Sequence, residues 1–137
     1  MGQSEMINPD SDLYRAHQDW VLGIAGYDQL TGRNQYVLDL CNEAVFAYLL
    51  ERMDAILSEH TIDYIEWDMN RDLVQPSHNG QASSQAQTAR LYALIAALRK
   101  RHPMTEFESC ASGGGHVSIT VCCVTCSASG PRTVTMR

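Results

Sequence analysis

The sequence predicts an α/β fold built on parallel strands. Three observations carry that reading. Short apolar runs rich in β-branched and aromatic residues occur at 36–40, 61–67 and 105–110. Between them lie two stretches whose apolar residues recur at helical spacing. The connections that follow the strands are polar. Strand, helix, strand, helix, strand is the alternation that a parallel sheet with right-handed crossovers requires. On pattern alone, both an open doubly wound sheet and a (β/α)8 barrel satisfy it.

Residues 1–35 read as irregular. NPDSD (Asn8–Asp12) and QLTGRNQ (Gln29–Gln35) carry turn chemistry, with Pro, Gly, Asn and Asp as punctuation. Between them, Leu13–Tyr27 holds Trp20, Val21, Leu22 and Ile24 and reads as a covering loop with a short helical or strand piece. YVLDL (Tyr36–Leu40) is read as a buried strand. Asn42 can cap the helix that follows, and Glu43 in its first turn suits the helix dipole. Apolar residues at 46, 49, 50, 53, 56 and 57 give that helix its inner face. TIDYIEW (Thr61–Trp67) is the next strand, and DMNRDLVQPSHNGQASS after it reads as a long polar loop. A second helix runs from about Ser84 to Arg101, with Leu91, Leu94, Ile95 and Leu98 on one face. Pro103 stops it, and TEFESC (Thr105–Cys110) is the third strand.

Composition narrows the function classes. The chain has 137 residues, 45% of them hydrophobic and 19% charged, enough for one modest core. A net charge of −6 opposes a nucleic-acid or anionic-membrane partner, both of which favour a basic surface. No apolar run is long enough to span a bilayer. The N-terminal MGQSEMINPDSD lacks the apolar core of a secretion signal, so the cysteines are expected as reduced thiols and the protein as cytoplasmic.

The motif with chemical content is IDYIEWDMNRD, residues 62–72. Asp68 falls where strand becomes loop, beside Trp67. An aromatic ring can pack on the apolar face of a pyranose, and a strand-end carboxylate can attack or stabilise an oxocarbenium-like centre. The alternative is that Asp68 merely caps the following turn.

YIEWDMNRDL resembles the nucleophile block of the family 36 glycoside hydrolases, the microbial α-galactosidases. EMINPDSDLYRAHQDWVL (Glu5–Leu22), GRNQYVLDL (Gly32–Leu40) and ESCASGGG (Glu108–Gly115) are similar to further blocks of that catalytic domain, in the same order. The resemblance runs from about Glu5 to Gly115. It implies a partial (β/α)8 TIM barrel of about three βα units with parallel strands. It also implies a retaining enzyme that removes terminal α-galactose from oligosaccharides such as melibiose or raffinose, with no cofactor and no metal, in a parent protein that is a homo-oligomer. Asp68 then matches the nucleophile, and Arg33 an arginine that contacts substrate. Trp67 and Asn70 belong to the block lining the sugar pocket, and Cys110 matches a cysteine packed against the sugar. Glu66 departs: the family has a lysine there that hydrogen-bonds sugar hydroxyls. Two residues apart on a strand, Glu66 and Asp68 share a face, and a second carboxylate so close opposes ionisation of the nucleophile. Pairing of Glu66 with Arg71 is the alternative. The reading from another class is a small doubly wound domain that binds a ligand or a subunit without catalysis.

The tail is different in kind. Cys122, Cys123 and Cys126 make one C-x-x-C pair with no second pair facing it, a weak metal signal. Family members continue past the triple glycine with an arginine, an apolar run and a Trp-x-Ser-Asp block that carries the general acid/base. Here HVSITVCCVTCSASGPRTVTMR follows. A codon string that encodes these residues also encodes, in another frame, RVDYGVLRHVQRVWTSDCDDA, which contains that block. Residues 1–115 are therefore expected to be part of the barrel, and residues 116–137 an out-of-frame, disordered tail. Without the acid/base block the chain as written is expected not to hydrolyse substrate. The nucleotide sequence across codons 105–137 checks this: the second frame should encode the Trp-x-Ser-Asp block, and a string incompatible with it would refute the shift.

Overall fold

The computed structural model describes residues 5–68 and 73–110, the side chains of Ser109 and Cys110 excepted. The out-of-frame tail expected from His116 onward lies outside the described residues. The fold is α/β, with short antiparallel pairs and one parallel pair.

The N-terminal third builds a small antiparallel unit. Strand β1, Met6–Ile7, is followed by helix α1, Asp12–Ala16, whose N-cap Ser11 accepts a hydrogen bond from the Tyr14 N–H. A single 3-10 turn, Gln18–Trp20, leads towards β2, Tyr36–Val37. β1 and β2 pair antiparallel, with Met6 opposite Val37. The expected strand at 36–40 is thus buried and extended, but it is shorter than expected and its partners are antiparallel. Its backbone is occupied from two sides. Leu38 N–H donates to the Glu5 carbonyl at 2.8 Å, Leu22 N–H to the Val37 carbonyl at 2.8 Å, and Asp39 N–H to the Trp20 carbonyl at 2.8 Å. With those groups taken by residues 5–7 and 20–22, the described part of the parallel sheet has two strands, not three.

Helix α2, Glu43–Glu59, starts at Asn42 as the sequence requires, the Asn42 Oδ1 accepting from the Ala44 N–H at 3.0 Å. Val45, Leu49 and Leu57 are buried and Phe46, Leu50 and Met53 pack beside them, whereas Ile56 stays 45% exposed. Strand β3, Tyr64–Asp68, comes next. The segment expected as one polar loop contains a hairpin, β4 (Ser77–His78) with β5 (Gln81–Ala82). Asn79 and Gly80 turn it with φ of 52° and 77°, the left-handed pair of a two-residue type I′ turn. Helix α3, Ser84–Arg101, buries Leu94 and Leu98 completely, with Leu91 and Ile95 flanking them, the face expected from periodicity. Its last turn carries Arg99, Lys100 and Arg101, which complement the helix dipole. Strand β6, Glu106–Cys110, then pairs parallel with β3 in register, Tyr64 opposite Glu106 and Asp68 opposite Cys110. Ile7, Leu38, Leu40, Trp67 and Phe107 join the two long helices in one core.

Two polar devices hold the layers together. Gln87 of α3 is 3% exposed and acts as a substitute strand: its Nε2 donates to the Leu38 carbonyl at 2.8 Å and its Oε1 accepts from the Leu40 N–H at 2.9 Å. Arg90, one turn on, adds a bond to the Leu40 carbonyl at 3.1 Å and stacks over Phe46. At the other end of the helix pair, Asp54 of α2 accepts from Arg101 at 2.8 Å and from His102 at 2.7 Å. The His102 hydrogen bond first, then Arg101, holds the Asp54 carboxyl below its usual value against the opposing effect of desolvation.

Replacing Gln87 by Leu strands a buried carbonyl and a buried N–H, and urea unfolding should show a loss of about 3 kcal/mol. The Asp54 contribution has the sign of a depressed carboxylate: it is present above the unfolded pKa and disappears as pH falls through the lower folded value. Asp54→Asn should therefore lower the melting temperature at pH 7, and the two melting curves should converge at strongly acidic pH.

Candidate functional site

The site is a consequence of the two-residue period of a strand. Along β3, Ile65 and Trp67 point to one side, and Tyr64, Glu66 and Asp68 to the other. Trp67 is 3% exposed and lies in the core with the helices. Its ring packs inside with the helices, with little of either face open to solvent. The opposite face carries the chemistry. Asp68 is half-buried at the C-terminal end of β3, and Glu66, exposed, lies two residues back on the same face.

Register supplies the neighbours. In the parallel pair, Glu66 stands opposite Glu108 and Asp68 opposite Cys110. Backbone register thus places Asp68, Glu66 and Cys110 on one strand-end edge. Tyr64 donates its hydroxyl hydrogen to Glu108 across the same pair. Glu66, Glu106 and Glu108 are all exposed, so this face is acidic where a lysine was the family pattern. Arg71, the partner considered for Glu66, and Asn70 lie outside the described residues.

Arg33 belongs to a different element. Gly32 and Gln35 exchange both backbone hydrogen bonds at 3.0 Å, closing a two-residue turn. Arg33 and Asn34 occupy it with φ of 53° and 59°. Neither residue is glycine, so the backbone there is held in the left-handed region at some cost, as at many binding loops. The turn leaves Arg33 exposed.

One acidic residue at this site escaped the motif reading. Glu5, just before β1, is 1% exposed. Burial pushes its carboxyl up to about 7; its own backbone and the nearby Trp67 indole pull the value down, and the charge of Asp68 pushes it up again. The indole is near, yet no hydrogen bond of ordinary geometry closes: both Glu5 oxygens and Trp67 Nε1 are buried without a hydrogen-bond partner among the described residues. A sequence signal existed, since EMI places a carboxylate next to two apolar residues that enter a strand. It does not reveal that the carboxylate turns inward.

Asp39 is the other buried acid, 7% exposed. It accepts from His78 Nδ1 at 2.5 Å and from the Cys41 N–H at 2.9 Å, while His78 Nε2 meets the Asn79 amide at 2.9 Å. That chain of bonds ties the hairpin to the segment after β2. Burial, with Asp39 beside it, pushes the Cys41 thiol up, which makes it a poor nucleophile. Among the described residues no group of three His, Cys, Asp or Glu side chains could hold a metal ion, and no helix is long and apolar enough to cross a membrane. Cys122, Cys123 and Cys126 lie outside the described residues.

Comparison with known proteins follows the same residues. The sequence model of the melibiase family matches residues 2–128. The chain is 54% identical over 119 residues to the alpha-galactosidase of Escherichia coli, covering 87% of this chain and 17% of that enzyme. It is 35% identical over 119 residues to the alpha-galactosidase AgaA of Geobacillus stearothermophilus, covering 82% of this chain and 16% of that one. The crystal structure of AgaA superposes with a TM-score of 0.76 at 35% identity, over 82% of this chain and 17% of that one. A variant of AgaA solved in complex with raffinose gives the same TM-score, 0.76. The chain therefore spans about a sixth of the length of the relatives it matches. Since the family model matches residues 2–128, far more than half of the chain, the chain belongs to the melibiase family.

Proposed function

We propose that this chain is a segment of the catalytic domain of a retaining α-galactosidase, with Asp68 as its nucleophile. The observation that carries the reading is the register of β3 and β6, which sets Asp68 beside Cys110 at the C-terminal ends of adjacent parallel strands. That edge is where (β/α)8 enzymes keep their chemistry. The pairing of β3 with β6 across α3 is one βα repeat of such a barrel, which supports a partial-barrel architecture. The relatives' names are those of α-galactosidases, and AgaA variants bind raffinose and stachyose in their crystals. No such support exists for a doubly wound binding domain.

In this mechanism the Asp68 carboxylate attacks the anomeric carbon of a terminal α-galactosyl unit. The leaving oxygen takes a proton from a second carboxyl group acting as general acid. Water then cleaves the galactosyl ester, and the acid, now a base, accepts its proton. Arg33 binds sugar hydroxyls from its turn, and Asn70 and Cys110 line the pocket. The substrate is a small oligosaccharide, and the complete protein acts in the cytoplasm as a homo-oligomer without a cofactor. Glu66 costs this site a cationic donor. An ammonium at that place would both bind hydroxyls and favour the ionised nucleophile.

In the complete enzyme containing this segment, release of p-nitrophenol from its α-galactoside tests the reading. Asp68→Asn should reduce kcat by about 10³-fold or more while leaving the fold intact, because the amide cannot form the ester. Activity near the parent level in that variant would contradict the assignment. Glu66→Lys should lower KM by about tenfold, the worth of a charge-assisted hydrogen bond. A KM unchanged by that substitution would place residue 66 away from the sugar.

A further inference from the structure

The mechanism gives no role to the hydrogen bond between His78 and Asp39, which joins two segments of the site. Asp39 ends the run that starts at the Arg33 turn and passes through β2. Its main chain is held on both flanks, the N–H by the Trp20 carbonyl and the carbonyl by the Asn42 N–H. His78 lies in β4, within the connection that leaves the C-terminal end of β3. Earlier in that connection, Leu73 packs against Met6, Leu22 and Val37. Strands of two residues do not hold a hairpin in place by themselves. Gln81 and Ala82 of β5 are exposed, so the hairpin is anchored through β4, by buried Ser77 and by His78.

The hydrogen-bond roles are complete. The Asn79 amide nitrogen faces His78 Nε2 at 2.9 Å, so Nε2 accepts and Nδ1 carries the hydrogen. Nδ1 then donates to Asp39 Oδ2 at 2.5 Å, while Asp39 Oδ1 accepts from the Cys41 N–H at 2.9 Å. Arg90 of α3 is engaged instead by the Leu40 carbonyl and by Glu43. Among the described residues, His78 is therefore the side chain that hydrogen-bonds the buried Asp39 carboxyl. A bond to so buried an acceptor has little competition from water.

We propose that Asp39 and His78 are a positioning pair for Arg33: their hydrogen bond locks the run carrying the Arg33 turn to the connection that begins at Asp68, and so fixes where the guanidinium meets the sugar relative to the nucleophile. The inference rests on the reading of Asp68 as nucleophile and Arg33 as sugar contact. The turn passes position along the chain: two backbone bonds between Gly32 and Gln35 close it, and β2 leads from it towards Asp39. Asp39 is buried and His78 is engaged at both ring nitrogens, so the pair acts through Arg33 and not on the sugar. Without the bond the Arg33 turn shifts, whereas Asp68 stays fixed by the pairing of β3 with β6. Binding then suffers and the chemical step does not.

His78→Phe keeps the ring volume and removes the donor. In the complete enzyme, KM for the p-nitrophenyl α-galactoside should rise about tenfold with kcat within about twofold of the parent. His78→Asn, whose amide can donate from the place of Nδ1, should bring KM back to within about threefold. An unchanged KM in His78→Phe, or an equal rise in both variants, would overturn the proposal. The decisive arm is an Arg33→Ala background, where adding His78→Phe should leave KM as it is, because the pair acts through a group already removed. A further tenfold rise there would show that the pair acts elsewhere and would overturn the proposal. An inactive parent would overturn the reading of function together with this one. An active parent whose KM ignores His78→Phe would overturn this one alone.

Discussion

The burial of Trp67 is the constraint on which the rest depends. A strand has two faces and a period of two, so one residue sunk into the core decides where all its neighbours point. Trp67 shares its core with Leu94 and Leu98 of α3 and Phe107 of β6. With that ring inside, Asp68 must stand on the other face, at the strand end. Had β3 slipped by one residue, the carboxylate would be buried under the helices and the indole exposed. Pairing with β6 over five residues secures the phase from the side. The outward placement of Asp68 is therefore purchased by hydrophobic packing at the residue before it.

The antiparallel unit makes a second contribution. Residues 38–40 are gripped from one side by the backbones of residues 5 and 20 and from the other by Gln87 and Arg90. A buried segment without a full strand partner would leave its N–H and C=O groups unpaired, and the Gln87 amide removes that penalty with one donor and one acceptor. The same grip fixes the carbonyl of Glu5, whose side chain is buried. Packing of α3, the course of the segment after β2 and the start of β1 are in this way one connected structure.

What could be read from the sequence followed the range of the forces involved. The two long helices were legible because their signals are local: Asn42 as cap, Leu94 and Leu98 at helical spacing, Pro103 beyond the last turn. Strands β3 and β6 were legible as runs, and their placement of Asp68 and Cys110 at strand ends held. Pairing was not legible. YVLDL looks the same whether its partner is parallel or antiparallel, and nothing local says that residues 5–7 reach it first. The β4–β5 hairpin was missed although Asn79-Gly80 is the dipeptide that favours a type I′ turn, because its two-residue strands are too short to show alternation. The burial of Trp67 was not legible from its adjacency to Asp68, because adjacent strand residues face opposite ways. The inward turn of Glu5 was invisible for the complementary reason: its burial is set by residues far along the chain, with Trp67 sixty-two positions away.

The central claim is that strand phase and register make Asp68 the group that bonds to galactose. The most direct measurement is covalent trapping in the complete enzyme with a fluorinated galactosyl fluoride, whose glycosyl-enzyme forms faster than it hydrolyses, followed by peptide mapping. The account predicts one sugar adduct, on the peptide spanning residues 62–72 and at Asp68, absent from Asp68→Asn. An adduct on any other carboxylate, Glu66 or Glu5 included, would contradict it.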